Sequence, residues 1–172
     1  VPFDIAQEVG RLRHALASGR KDKVSEFSTD RHSMQQMEAI ISKHKASHSL
    51  PDDRHILMEN YKDFFIIHSC FGSLANDTIG KYLAAILTGQ TGVAVNIKTD
   101  PYRIMLQTTA KMEKVRKALE ELEPDDMESV LRSSLERSSM FKWRFLQVAK
   151  RFGIISRDVK IDNRFNINKL IT

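Results

Sequence analysis

Residues 50–108 read LPDDRHILMENYKDFFIIHSCFGSLANDTIGKYLAAILTGQTGVAVNIKTDPYRIMLQT, and this stretch decides the fold class. The aromatic and β-branched run at 63–69 predicts a strand. It enters a turn at Cys70-Phe71-Gly72, and an amphipathic helix follows over 74–87, ended by Gly89 to Gly92. Two strands come next, 93–98 and 102–107, joined by a tight turn at Asp100-Pro101. Val93, Val95 and Ile97 alternate with Ala94, Asn96 and Lys98, which predicts one buried and one wetter sheet face. Strand, helix, strand is most simply a parallel pair with a right-handed crossover. The last strand then returns as an antiparallel partner. The expected class is α+β: a small mixed β-sheet of strand-helix-strand-strand packed with several helices, helix-rich at both ends.

Helical periodicity surrounds this core. A first helix is expected over 3–18, with Phe3, Val9, Leu12 and Leu16 on its apolar side and Gly19 as its stop. A second is expected over 28–45, with Met34, Met37, Ile40 and Ile41 inward and Ser28 or Asp30 as cap. Leu50-Pro51-Asp52-Asp53 begins a short helix or a turn. Residues 111–122 read as helix. Pro124 restarts another, with Asp125 and Glu128 at capping-box spacing. Residues 1–172 are expected to form a single domain or a partial one: a helical start at 1–48, an α/β core at 50–108, C-terminal helices at 110–153 and a tail at 154–172. The first residue is Val1, as expected of a processed chain or an excised piece.

Composition narrows the partners. The 172 residues carry a formal charge of +5, enough to admit a nucleic-acid footprint without demanding one. The bases cluster: Arg11, Arg13, His14, Arg20, Lys21 and Lys23 near the start, and Lys142, Arg144, Lys150, Arg151 and Arg157 near the end. Acids gather at 120–126. The longest apolar runs, such as Phe64 to Ile67, are far too short to cross a bilayer, and the start does not look like a secretory signal. The single cysteine, Cys70, excludes an internal disulfide and is compatible with a cytoplasmic location.

The chemistry-bearing motifs are few. No Gly-rich loop ends in Gly-Lys-Ser or Gly-Lys-Thr, and no Asp-Glu motor motif follows a strand, so this segment is expected neither to bind nor to hydrolyse ATP. His44 and His48 have helical spacing without an evident third ligand, so no metal site is expected. His68 and Cys70 would share a strand face, but a buried thiol beside a hydrogen-bonded histidine is the simpler expectation. Gly72 suits the strand-to-helix turn, and the helix end there is a minor candidate for a backbone phosphate. Arg103, beside the Asp-Pro turn, is a candidate phosphate contact or a salt-bridge partner.

The strongest site signal lies in the helix expected over 139–152. At about 100° per residue, Phe141, Phe145, Val148 and Phe152 gather on one stripe. Trp143, Arg144, Gln147, Lys150 and Arg151 gather on another. An aromatic among cations is the equipment of single-strand binding, the ring stacking on a base while cations hold phosphates. The competing expectation is that Trp143 packs against another helix.

Several words of the chain resemble one family, the archaeal form of the large helicase-related (Lhr) family of ATP-dependent helicases. They are Leu50-Pro51-Asp52-Asp53, Ile66-Ile67-His68-Ser69 leading into Phe71-Gly72, Asn76 to Leu83, Lys98 to Ile104, and Phe141-Lys142-Trp143-Arg144-Phe145. The opening, Val1 to Arg13, is similar to the family's segment just beyond its winged-helix domain. In that family two RecA-like motor domains and a winged helix precede a family-specific domain, and residues 1–172 resemble part of the last. The resemblance implies an accessory nucleic-acid-binding domain of an ATP-dependent 3′-to-5′ DNA helicase or translocase acting in repair or recombination. Its partners would be a tracking single strand or an RNA:DNA hybrid, together with the motor and winged-helix domains of the same chain. ATP and Mg would belong to the parent helicase, with no cofactor in this segment, no membrane partner and a cytoplasmic location. The candidate contacts are Trp143, Arg144, Gln147, Lys150, Arg151 and Arg103; no catalytic residue is expected. The alternative is a structural or protein-docking domain that touches no nucleic acid. A lesser one is an independent enzyme using Cys70 and His68.

Overall fold

A computed structural model describes residues 1–156 apart from Ser28; Arg157 and the rest of the tail lie outside the described residues, as does the proposed Ser28 cap. The chain forms two compact units, Val1–Leu122 and Glu123–Thr172.

The first unit starts with α1 (Phe3–Ser18), a short α2 (Lys21–Val24) and α3 (Arg31–Lys45). Helix α1 ends where expected, at Gly19, whose backbone is left-handed with φ 68°. Its inward face differs from the expected one. Ala6, Gly10 and Ala15 are buried, while Val9, Leu12 and Leu16 are half-buried and Phe3 is exposed. Small residues let the helix sit against backbone: a Cβ on Gly10 would lie 2.7 Å from the Asp53 amide nitrogen. Helix α3 is capped by Asp30, which accepts from the Ser33 amide at 2.9 Å. Met34, Met37 and Ile41 are half-buried, but Ile40 is exposed, so the expected inward face is narrower by one residue.

The sheet corrects the expected pairing. Strands β1 (Leu57–Tyr61), β2 (Phe64–His68), β3 (Asn96–Asp100) and β4 (Arg103–Gln107) lie in the order β1-β2-β4-β3, every neighbouring pair antiparallel. β2 and β3 do run in the same direction, but β4 stands between them. Polarity explains the order. The two most apolar strands, FFIIH and RIMLQ, take the centre, where both edges are paired. The polar NIKTD and LMENY take the outside. β1 was unexpected because its sequence lacks a clear alternation. Residues 93–95 lie outside β3, and Val93 is exposed.

Helix α4 (Gly72–Thr91) crosses one face of this sheet, with Leu83 and Leu87 fully buried. Under it lie Phe65, Ile67, Ile104 and Leu106. Gly80 permits the approach, since a Cβ there would meet Thr99 and Ile104 methyl groups at 3.1 and 3.2 Å. Buried Asn76 ties the layers: it accepts from the Ser69 hydroxyl at 2.7 Å and donates to the Asp100 carbonyl at 2.9 Å. Helix α5 (Met112–Glu120) completes the unit, with Val115 and Ala118 buried.

The opposite sheet face follows directly from the register. Tyr61, Phe64, Gln107 and Asn96 form one row across the four strands; Glu59, Ile66, Met105 and Lys98 form the next; Leu57, His68, Arg103 and Asp100 form the third. This face is half-exposed in its middle and exposed at its rim.

The second unit pairs α6 (Pro124–Arg137) with α7 (Ser139–Arg151). Pro124 occupies the first turn of α6. Asp125 also lies in that first turn, and the capping position belongs to Glu123, whose side chain makes no capping hydrogen bond. In α7 the cap is Ser138, accepting from the Phe141 amide at 3.1 Å.

Candidate nucleic-acid interface

Helix α7 turns a different stripe inward from the one its phenylalanines suggest. Leu146 and Ala149 are buried in a cluster with Ile155, and Phe145 packs against it half-buried. Phe141 is half-buried and stacks on Phe145 with ring centroids 6.4 Å apart. Val148 and Phe152, which share the phenylalanine stripe, are exposed, Phe152 to 77%. The physical reason is the angular position of Leu146 and Ala149, about 60° apart on the wheel, which centres the buried arc on their side of the helix.

The exposed arc carries the candidate residues. Trp143 is 53% exposed, and Arg144, Gln147 and Arg151 are exposed with it. The Arg144 guanidinium sits 5.3 Å from the centroid of the Trp143 ring, a cation–π contact between consecutive residues. Neither Arg144 nor Arg151 forms an ion pair among the described residues. Lys150 is half-buried and is engaged within the protein. This surface therefore offers an aromatic ring, two guanidinium groups and an amide on one helix, flanked by exposed Val148 and Phe152.

Arg103 belongs to the first unit. Its Nε and Nη2 both reach Asp100 Oδ2, at 2.8 and 2.7 Å, so it is a salt-bridge partner. Burial alone would push the Asp100 carboxyl up, but the Tyr102 amide and Arg103 outweigh it and hold the carboxyl below its ordinary value. The start of α4 is likewise spoken for: the Gly72 amide donates to the Pro101 carbonyl at 3.0 Å and the Ser73 amide to the Val1 carbonyl at 2.9 Å. Two of the backbone donors that a phosphate would use there are thus already engaged.

His68 and Cys70 do not pair. His68 Nε2 lies 3.1 Å from Glu59 Oε2, on the half-exposed sheet face. Cys70 is buried; Gln7 donates to its carbonyl at 2.6 Å, and Arg13 Nη1 approaches its sulfur at 3.8 Å while stacking on Tyr102. Burial pushes the Cys70 thiol up, against the pull of Arg13.

One cluster escaped the sequence reading. Asp52 is 8% exposed and accepts at both oxygens, from His14 Nδ1 at 2.8 Å and His55 Nδ1 at 2.9 Å, as well as from the Arg54 and His55 amides. Burial would raise its carboxyl, but the hydrogen bonds from His14, the Arg54 amide and His55 hold it below the ordinary range. The three donor atoms lie within 4.8 Å of one another, close enough for a metal ion. Arg20 Nη2 lies 2.6 Å from His14 Nε2, however. A guanidinium can only donate, so Nε2 is the bare nitrogen and Nδ1 carries its hydrogen to Asp52. The cluster is a clasp that ties α1 to the Leu50-Pro51-Asp52-Asp53 turn. Asp52 and His55 are three residues apart, but His14 comes from a distant helix, so no local spacing announced it.

The half of the chain that holds the sheet, together with the α6–α7 hairpin, is matched as one piece by a family model, described as DEAD/H associated, over residues 50–170. The chain belongs to the DEAD/H-associated family. Among curated proteins it is similar to the "ATP-dependent helicase Lhr-Core" of Sulfolobus acidocaldarius, at 25% identity over 94% of the chain and 21% of the relative. The protein of the same name from Methanothermobacter thermautotrophicus is 26% identical over 90% of the chain and 20% of its own length. That from Methanocaldococcus jannaschii is 24% identical over 98% and 21%. The resemblance read from the motifs thus holds across nearly the whole chain, which spans about a fifth of the length of these relatives. No solved structure matches it. Among the described residues no helix is long and apolar enough to cross a membrane.

Proposed function

We propose that this DEAD/H-associated segment is an accessory domain of an ATP-dependent helicase and that it contacts the tracking single strand. The observation that carries this reading is the exposure of Trp143 together with Arg144 and Arg151 on α7. An indole held half in water by a fold that could have buried it is poised to stack on a base. The guanidinium groups beside it reach phosphates, so affinity comes without sequence preference. Gln147 lies on the same arc, and Lys150 stands at its half-buried margin. Arg103, committed to Asp100, contributes at most at the edge of the other unit.

The parent chain would supply the motor: ATP and Mg bind upstream, translocation runs 3′ to 5′, and the strand comes from a DNA duplex or an RNA:DNA hybrid in the cytoplasm during repair or recombination. The present segment carries no phosphate-binding motor motif and hydrolyses no ATP. A second reading has its own support. Exposed Val148 and Phe152 on α7 form an apolar margin suited to docking against another domain of the parent chain.

Fluorescence anisotropy of a labelled single strand, titrated with the 172-residue chain at several salt concentrations, separates the two. Strand binding predicts weak affinity that falls steeply with salt. Absence of binding at low salt leaves the docking reading.

A further inference from the structure

The sheet face opposite α4 has chemistry that the helical site does not use. Its first row places two aromatic rings, Tyr61 and Phe64, on adjacent strands next to two amide side chains, Gln107 and Asn96. Tyr61 is 61% exposed, and the amides are joined, Asn96 Nδ2 donating to Gln107 Oε1 at 3.3 Å. Ammonium groups stand near the row at the β1–β2 turn and on the β3 edge strand. Lys62 occupies the two-residue β1–β2 turn with φ 57°, and Nζ lies 5.3 Å from the centroid of the Tyr61 ring. Lys98 is exposed in the next row on β3. Neither lysine has an acidic partner among the described residues, whereas the acids of this face are occupied: Asp100 by Arg103 and Glu59 by His68. Two unpaired ammonium groups therefore stand near the rings, with exposed Asp63 sharing the turn of Lys62.

We infer that this sheet face is a second nucleic-acid surface, holding single-stranded DNA across the strands. Tyr61 stacks on one base and Phe64 supports the next. The Asn96 and Gln107 amides meet base edges. Lys62 and Lys98 take the phosphates on either side. An antiparallel four-stranded sheet with one face covered and rings on neighbouring strands is a general platform for unstacked bases. The choice of DNA over RNA rests on the helicase reading above; the surface itself stands on the register of the strands. It lies in the first unit, so it is independent of α7.

The test uses the whole 172-residue chain and a fluorescein-labelled deoxythymidine oligonucleotide. Tyr61→Ser is expected to weaken binding about tenfold, and Tyr61→Phe, which keeps the ring, to retain wild-type affinity. Lys98→Ala is expected to lower the salt slope by about one unit. Ultraviolet cross-links should map to peptides spanning 57–68 or 96–107. Both positions are exposed, so melting temperatures should stay near wild type, which separates lost contact from lost fold. Wild-type affinity in Tyr61→Ser and an unchanged slope in Lys98→Ala overturn the inference. If Trp143→Ala abolishes binding while the sheet variants do not weaken it, the helical site stands and the sheet site falls; the opposite pattern supports the sheet and removes α7. A uridine oligonucleotide bound more tightly, with the same Tyr61 dependence, overturns DNA as the occupant.

Discussion

Arg144 rests against Trp143, its guanidinium carbon 5.3 Å from the ring centroid, and both side chains face solvent. The contact covers one side of the indole and leaves the ring half-exposed. It also holds the cation beside the ring before any ligand arrives, which reduces the ordering a bound strand would demand.

Trp143→Ala should weaken single-strand binding by roughly 1–3 kcal/mol, the worth of one base–aromatic stack, with little change in melting temperature. Leu146→Ala should do the reverse, costing about 3 kcal/mol of stability by opening a cavity in the cluster with Ala149 and Ile155. Anisotropy and thermal melts on the same samples compare them. Equal destabilisation by the two variants would mean that Trp143 is a packing residue.

Gly10→Ala should destabilise the first unit by about 2 kcal/mol. The added Cβ would approach the Asp53 amide nitrogen to 2.7 Å, and a backbone atom cannot turn aside as a side chain can. Denaturant melts would show the loss, while Gly89→Ala, with open space around its Cβ, should be neutral or better.

Asn76→Ala should cost about 3 kcal/mol. It strands the Ser69 hydroxyl and the Asp100 carbonyl that Asn76 now pairs. The double variant Asn76→Ala, Ser69→Ala should recover part of this by removing one orphaned group, and a double-mutant cycle in urea measures how much.

Acid should act through Asp52. Its carboxyl is held below the ordinary value of 3.8 in the folded chain. The resulting stability is fully present above about pH 5 and is lost as pH falls through 3.8 and below, where the native carboxylate takes a proton. Asp52→Asn should lower stability at neutral pH and flatten this acid limb. Melting curves between neutral and acidic buffers test it; a parallel offset at every pH would mean that the clasp does not depend on charge.

Cys70 should resist alkylation in the native chain, because it is 1% exposed and burial holds the thiol in its protonated form. Labelling should appear only as denaturant unfolds the first unit. Rapid native labelling would place the sulfur at the surface.

Local signals decided much of this protein. Period and punctuation determined the α+β class, the span of α1 with its glycine stop and the hairpin at Asp100-Pro101, and narrowed the α3 cap to Ser28 or Asp30, since these depend on residues a few positions apart. Family words likewise lie along the chain and needed no coordinates. Tertiary structure decided the rest. Which strands neighbour one another depends on which two are most apolar, and that comparison spans the whole sheet, so β4 displaced the expected parallel contact between β2 and β3. The inward side of α7 depends on where Leu146 and Ala149 meet the cluster at Ile155, so Phe152 is exposed despite its ring. His14 reaches Asp52 only because Gly10 lets α1 lie against the turn. The twelve-residue sheet face exists only once the register is set, because alternation tells which residues share a face but not which face remains open to water.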